Sequence, residues 1–236
     1  MGSHQASTTL NLVMLGPPGA GKGTQAERIS RTRRLPKIST GDILREAVHD
    51  GTALGRSVKE TIATGSLVSD EIMIGVVRER LSRPDAGRGF ILDGFPRTVA
   101  QAKSLDEMID GRGPIIAIVM SVPEHELVRR LGVRRVCADC GATYGGPGSV
   151  TESSGAGRCT RCGGLLVQRD DDNIDVIRER LRVFTRATEP LVRYYEGRPT
   201  FALINGLQPP DKVTADLRAH IEAALAMGRA GGRAEA

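Results

Sequence analysis

The chain has 236 residues, a formal charge of +5, and 39% hydrophobic against 26% charged residues. That balance supports an aliphatic core and excludes compositional disorder. With 3% aromatics and no Trp, the chain lacks the stacked aromatic platforms of many single-strand nucleic-acid binders. No apolar run approaches the roughly 20 residues of a membrane span, and the first nine residues show no basic-then-apolar leader. A cytoplasmic protein is the expectation. The basic excess is arginine-heavy, which suits bidentate contacts to phosphate or carboxylate.

The run Leu10–Leu15 reads as a buried strand ending in a Gly-rich turn, and Thr24–Ile29 as a helix. Pro36–Ser39 is a short strand. Gly41 to Gly75 carries about three short helices, punctuated by Gly51, Gly55 and Gly65. Phe90–Asp93 and the longer run Ile115–Met120 are buried strands, the second the better central one; Glu124–Leu131 is a helix. Phe201–Ile204 is a last strand, Lys212–Met227 a last amphipathic helix, and 228–236 a small, polar tail. Strands alternating with helices predict a parallel sheet covered on both faces. The segment Cys137–Leu165 breaks that rhythm: it is Gly- and Ser-rich, poor in apolar residues, and holds every cysteine.

Gly16-Pro-Pro-Gly-Ala-Gly-Lys-Gly-Thr24 sits between a predicted strand and a predicted helix, the context a phosphate-binding loop requires. Its glycines let successive N–H groups curl around a phosphate, and the helix start adds its positive dipole end. Gly19, Ala20, Gly21 and Gly23 form the cradle. Lys22 reaches the β- and γ-phosphates and Thr24 faces magnesium. Gly23 intervenes where the general motif puts Ser or Thr directly after the lysine.

Cys137-x-x-Cys140 and Cys159-x-x-Cys162, each followed by Gly, have zinc-ribbon spacing. A disulfide or an iron–sulfur centre is the competing use of such cysteines. Four thiolates close a tetrahedral site, so the zinc would be structural and would supply folding free energy that this insertion lacks.

Four further segments complete a pattern: Ile38–Asp42, Leu92–Arg97 with Gln101, Gly132–Arg135, and Arg169–Asp172 followed by Arg178 and Arg180. With the loop 16–24, the chain from Leu10 to about Leu225 closely resembles bacterial adenylate kinase in its long, zinc-lidded form. The resemblance implies a P-loop α/β fold with a five-strand parallel sheet in the order 2-3-1-4-5. It places the core at 9–38, 69–132 and 173–227, an AMP-binding region at 39–68, a zinc-binding lid at 133–172 and a flexible tail at 228–236. It implies the reaction MgATP + AMP ⇌ 2 ADP by a monomer, with hinges near Val133 and Asp171.

The resemblance also implies roles for single residues. Arg45 and Arg97 clamp the AMP phosphate. Lys22, Arg97, Arg134, Arg169 and Arg180 hold the transferring phosphates once the lid closes, with Arg169 and Arg180 also on the AMP side. Arg130 lies against the ATP adenine or ribose, near Thr143, Tyr144 and Gln208. Thr40, the Ser66-Leu67-Val68 backbone, Gly94, Phe95, Pro96 and Gln101 line the AMP site, and Gln101 reads the adenine edge through its amide. Asp93 holds magnesium through waters. Arg135, Arg158 and Arg161 are lid surface charges, and His4, His49, His125 and His220 lie outside every motif. The chain departs from the family pattern at Gly145, where His is common after Tyr144.

Two other functions compete. One keeps the class and changes the acceptor to UMP, CMP or GMP. The other is a P-loop protein whose zinc ribbon binds nucleic acid, against which stand a ribbon with Tyr144 as its one aromatic and an unexplained Asp-Gly-Phe-Pro-Arg segment. An inactive relative is disfavoured by the presence of all five catalytic candidates.

Overall fold

The computed structural model describes residues 9–145 and 157–231. His4, most of the expected Gly/Ser-rich lid loop and the last five residues of the expected tail lie outside the described residues. In chain order the elements are β1 Leu10–Leu15, α1 Lys22–Arg33, β2 Lys37–Ser39, α2 Thr40–His49, α3 Ala53–Ala63, α4 Asp70–Leu81, β3 Gly89–Asp93, α5 Val99–Met108 and β4 Ile115–Ser121. They continue with α6 Glu124–Val133, β5 Arg135–Cys137, β6 Thr143–Tyr144, β7 Leu166–Val167, α7 Ile174–Val183, α8 Pro190–Glu196, β8 Phe201–Asn205 and α9 Pro210–Gly231.

Five parallel strands form one sheet in the order β2-β3-β1-β4-β8. This is the expected order, with β8 as the fifth core strand because three lid strands intervene. The apolar strands read as continuous runs because both faces are covered, and pleating sends alternate side chains to opposite layers. Leu10, Leu12 and Met14 of β1 join Ile116, Ile118 and Met120 of β4 on one side, against Ala26 and Ile29 of α1 and Leu217 and Ile221 of α9. Val13 and Leu15 join Ala117 and Val119 on the other, against Val77, Leu105 and Tyr195 of α4, α5 and α8. Asn11 is the polar exception on β1: it is fully buried, and its amide donates to the carbonyls of Arg112 (2.9 Å) and Gly113 (3.2 Å).

Several elements outrun the sequence pattern. The first helix starts at Lys22, because Gly21 turns the chain in the left-handed region, and continues to Arg33. The last helix runs to Gly231, past the expected end at Met227. Helices α5 and α7, which periodicity did not single out, are anchored by side-chain caps. Thr98 accepts from the Gln101 N–H, and Asn173 accepts from the Val176 N–H.

The insertion forms its own small antiparallel sheet, β6-β5-β7. Its buried nucleus is Cys137, Tyr144 and Cys159, in keeping with a segment that has no apolar core of its own. Gly145, where the family pattern often has His, has φ +83°, and a Cβ there would sit 2.3 Å from the Val133 carbonyl oxygen. The close approach of the lid sheet to the end of α6 accounts for the glycine.

Candidate active site

The loop after β1 delivers α1 with its first turn bare. No side chain caps it and no acidic residue occupies that turn, so the leading N–H groups are left for an anionic ligand. At Gly23, where the usual Ser or Thr would follow the lysine, a Cβ would lie 3.1 Å from Asp93 Oδ2, a tight contact. That carboxylate ends β3 beside the loop. Lys22 Nζ donates to the carbonyls of Gly16 (2.8 Å) and Pro17 (2.9 Å). Burial pulls its pKa down to about 8; Asp93 opposes the shift, and Arg97, Arg180 and Arg134 add to it.

Arginines from separate elements converge on the same region. Arg97 follows β3, and its Nε donates to the Gly94 carbonyl at 2.9 Å. Loss of solvation in the cleft, then the charge of Arg180, lowers it to about 10. Arg169 is likewise lowered to about 10, first by desolvation and then by Arg45 and Arg134. Arg134 closes α6 and makes a bidentate pair with Asp172 (2.7 and 2.6 Å) across the two chain segments that enter and leave the lid. Arg180 of α7 donates to the Asp171 carbonyl (2.8 Å) and to Asp172 Oδ1 (3.1 Å). Arg45 pairs with Asp42 and lies 3.9 Å from Asp171. Burial would raise the Asp171 carboxyl, but Arg180, Arg45, Arg169 and Arg134 hold it below the usual carboxylate range. Asp171 and Asp172 therefore counter the arginines, a role that the sequence reading did not give them. Their position immediately after Arg169 was its one signal.

Thr40, Arg45, Ser66, Leu67, Val68, Gly94, Arg97, Gln101 and Arg180 line one open cavity with about 620 Å³ of empty space. Phe95 and Pro96, joined by a cis peptide, are buried beneath it. Gln101 is buried; its Oε1 accepts from the Arg97 N–H (2.7 Å) and its Nε2 donates to Asp70 (2.7 Å).

Three side chains expected near the ATP base have their polar atoms engaged within the protein. Arg130 does not project as a free plane: it is 5% exposed, held by Glu126 (2.7 Å), and forks onto the Gly206 carbonyl with two 3.1 Å bonds. It thereby ties the turn after β8 to α6. Tyr144 is buried against the cysteines, its hydroxyl donating to Cys159 Sγ (3.1 Å) and accepting from the Thr160 N–H (2.9 Å). Its ring is thus part of the cysteine nucleus, and Thr143 precedes it on β6. The Gln208 amide is drawn to Asp216 (3.0 Å) and the Asn205 carbonyl (3.1 Å).

The four cysteine sulfurs lie within 4.8 Å of one another. The Cys137–Cys162 separation is 3.4 Å and the Cys140–Cys159 separation 3.6 Å. Disulfides at roughly 2 Å are excluded by these distances, while a tetrahedron with metal–sulfur bonds of about 2.3 Å has edges of about 3.8 Å. The Tyr144 hydroxyl is the main influence that brings the Cys159 thiol down to about 6. At Cys162 the Gly164 N–H favours the thiolate, but the Cys137 and Cys140 sulfurs outweigh it and push the group up to about 12. Four sulfurs this close ionise together only around a cation, so the donor set fits a metal.

A bare helix start behind a glycine loop, with an arginine-lined cavity beside it at the carboxyl ends of a parallel sheet, defines a P-loop phosphotransferase of the nucleoside monophosphate kinase class. The family model for adenylate kinase matches residues 14–199. The adenylate kinase of Archaeoglobus fulgidus is 48% identical over 215 residues, spanning 90% of this chain and 98% of its own. That of Geobacillus sp. WCH70 is 48% identical over 211 residues (89% and 97%), and that of Moorella thermoacetica 47% over 229 residues (95% and 99%). The chain belongs to the adenylate kinase family.

Proposed function

We propose that the glycine loop holds the phosphates of MgATP, that the lined cavity takes AMP, and that a γ-phosphoryl group passes between them to give two ADP. The observation that carries this reading is the meeting of Lys22, Arg97, Arg134 and Arg180, brought by α1, the turn after β3, the end of α6 and α7. Such a convergence of cations is complementary to polyphosphate.

Phosphoryl transfer asks the protein for alignment, charge neutralisation and exclusion of water, and little covalent chemistry. Arg45 and Arg97 orient the AMP phosphate, while the bare turn of α1 with Gly19, Ala20, Gly21, Gly23 and Thr24 cradles ATP. Lys22 leaves its two carbonyls for the transferring group. Arg134, Arg169 and Arg180 exchange their aspartate partners for phosphate oxygens as the lid at 133–172 closes over the core, turning near Val133 and Asp171. No strong base is needed, because the acceptor is already an anion. Magnesium bound to ATP neutralises phosphate charge, and Asp93 is placed to hold its waters. Zinc on Cys137, Cys140, Cys159 and Cys162 supplies the lid with folding free energy. Thr143 and Tyr144 meet the ATP base through their backbone, and Arg130 shapes that pocket by fixing Gly206.

Lys22, Arg45, Arg97, Arg134, Arg169 and Arg180 all belong to one chain, in keeping with a monomer as the working unit. Its partners are ATP, AMP and ADP, in the cytoplasm, without nucleic acid or membrane. A coupled assay for ADP from MgATP with AMP, UMP, CMP or GMP tests the reading. Turnover with AMP alone is expected. Equal turnover with another monophosphate refutes the base assignment, and undiminished turnover in Lys22→Ala or Arg97→Ala refutes the site.

A further inference from the structure

We infer that Asp70 is a positioning residue that sets base choice by fixing which end of the Gln101 amide is the donor; this rests on the reading of the cavity as the AMP site. Asp70 opens α4 on one side of the cavity and Gln101 lies in the first turn of α5. The Gln101 Nε2 donates to Asp70 Oδ1 at 2.7 Å, and its Oε1 accepts from the Arg97 backbone N–H at 2.7 Å. The Thr98 hydroxyl donates to the second oxygen, Oδ2, at 2.9 Å, and accepts from the Gln101 N–H at 3.2 Å.

Each bond in this ring has only one possible direction. An ionised carboxylate accepts and a backbone N–H donates. Turning the amide over would set its NH₂ against the Arg97 N–H and its oxygen against the Asp70 carboxylate, donor on donor and acceptor on acceptor. Gln101 is only 1% exposed, so solvent does little to relieve that mismatch.

An amide has two N–H groups and two acceptor lone pairs. One of each is committed, so one N–H and one lone pair remain, in fixed order, on a side chain that lines the cavity. Adenine presents N1 as an acceptor beside a 6-amino donor, which pairs with that order. Hypoxanthine and guanine present N1–H as a donor beside O6 as an acceptor, which opposes it at both points. A site built this way rejects the wrong base because its own buried groups are left unpaired. Asp70 need not touch the nucleotide: it excludes the flipped amide that would suit a 6-oxopurine.

The test compares kcat/KM for AMP and for IMP, the hypoxanthine nucleotide, in the unaltered protein, Asp70→Ala, Asp70→Asn and Gln101→Leu, with KM for MgATP measured alongside. Asp70→Ala should raise KM for AMP and lower the AMP-over-IMP preference by about tenfold, the scale of one hydrogen bond, with KM for MgATP unchanged. Asp70→Asn keeps an oxygen for Gln101 if the Thr98 hydroxyl turns, and so should retain part of the preference. Should the alanine variant not fold by circular dichroism, the near-isosteric asparagine variant carries the test. A loss of preference of about threefold or more supports the proposal there, and an unchanged preference overturns it. If Asp70→Ala folds and keeps the preference while Gln101→Leu loses it, the role of Asp70 is refuted and the AMP site stands. If Gln101→Leu also keeps both KM for AMP and the preference, the cavity is not the AMP site and both readings fall.

Discussion

Nucleotide binding should draw a proton onto Lys22. Burial holds this lysine down to about 8, with Arg97, Arg180 and Arg134 adding to the shift. A phosphate beside the ammonium stabilises the charged form, so binding and protonation favour each other. With Lys22 held near 8 and raised by the phosphate, uptake should be small at pH 7, about half a proton at pH 8 and larger above it. Affinity should correspondingly fall as pH rises through 8, by about fivefold between pH 8 and pH 9. Calorimetric titration with a non-transferable MgATP analogue, in buffers of contrasting ionisation enthalpy, measures the uptake directly. Lys22→Arg is the control, because guanidinium stays charged throughout this range. An uptake at pH 8 that is near zero, or equally large in Lys22→Arg, would refute the assignment of the shift to Lys22.

Arg97→Ala should slow turnover by about 10²–10³-fold, the scale for losing one oriented donor to a developing charge, while far-ultraviolet dichroism stays unchanged. Cys159→Ser should open the lid before the core. Hydrogen exchange should accelerate across 135–144 and 165–167 with β4 still protected, and a uniform loss of protection would contradict the separate metal-held nucleus. Gly145→Ala should destabilise the lid by about 1–3 kcal/mol, from a strained φ and the contact with the Val133 carbonyl; an unaltered lid exchange profile would count against it. Ile118→Ala, in the fully buried centre of β4, should cost about 2–5 kcal/mol in urea denaturation, and a cost below 1 would mean the central strand repacks.

Much of the fold was legible because strand burial and loop chemistry are local. Leu10–Leu15 and Ile115–Met120 are apolar throughout because both sheet faces are covered, and that pattern needs no partner to be seen. The glycine loop was legible for the same reason: its glycines and lysine act through adjacent backbone. Helices α5 and α7 were less legible because they are set by caps and by burial against other elements. The candidate site divides in the same way. Thr40, Arg45, Ser66 to Val68, Gly94, Arg97, Gln101 and Arg180 meet in one cavity. Arg130 and Tyr144 carried the same kind of signal, yet their polar atoms are taken by Gly206 and Cys159. Those partners are 76 and 15 residues away and invisible to local pattern.

By itself the sequence determined the strands, the phosphate loop and the cysteine quartet, because each follows from residue type and short spacing, while the choice of arginines came from the family resemblance. Only the tertiary structure decided which partners those side chains take. It folds Lys22 onto Gly16 and Pro17, pairs Arg134 and Arg180 with Asp172, and locks Gln101 between Arg97 and Asp70. The physical reason is that a buried charge or amide must find a partner, and which partner is nearest depends on chain segments that sequence spacing does not relate.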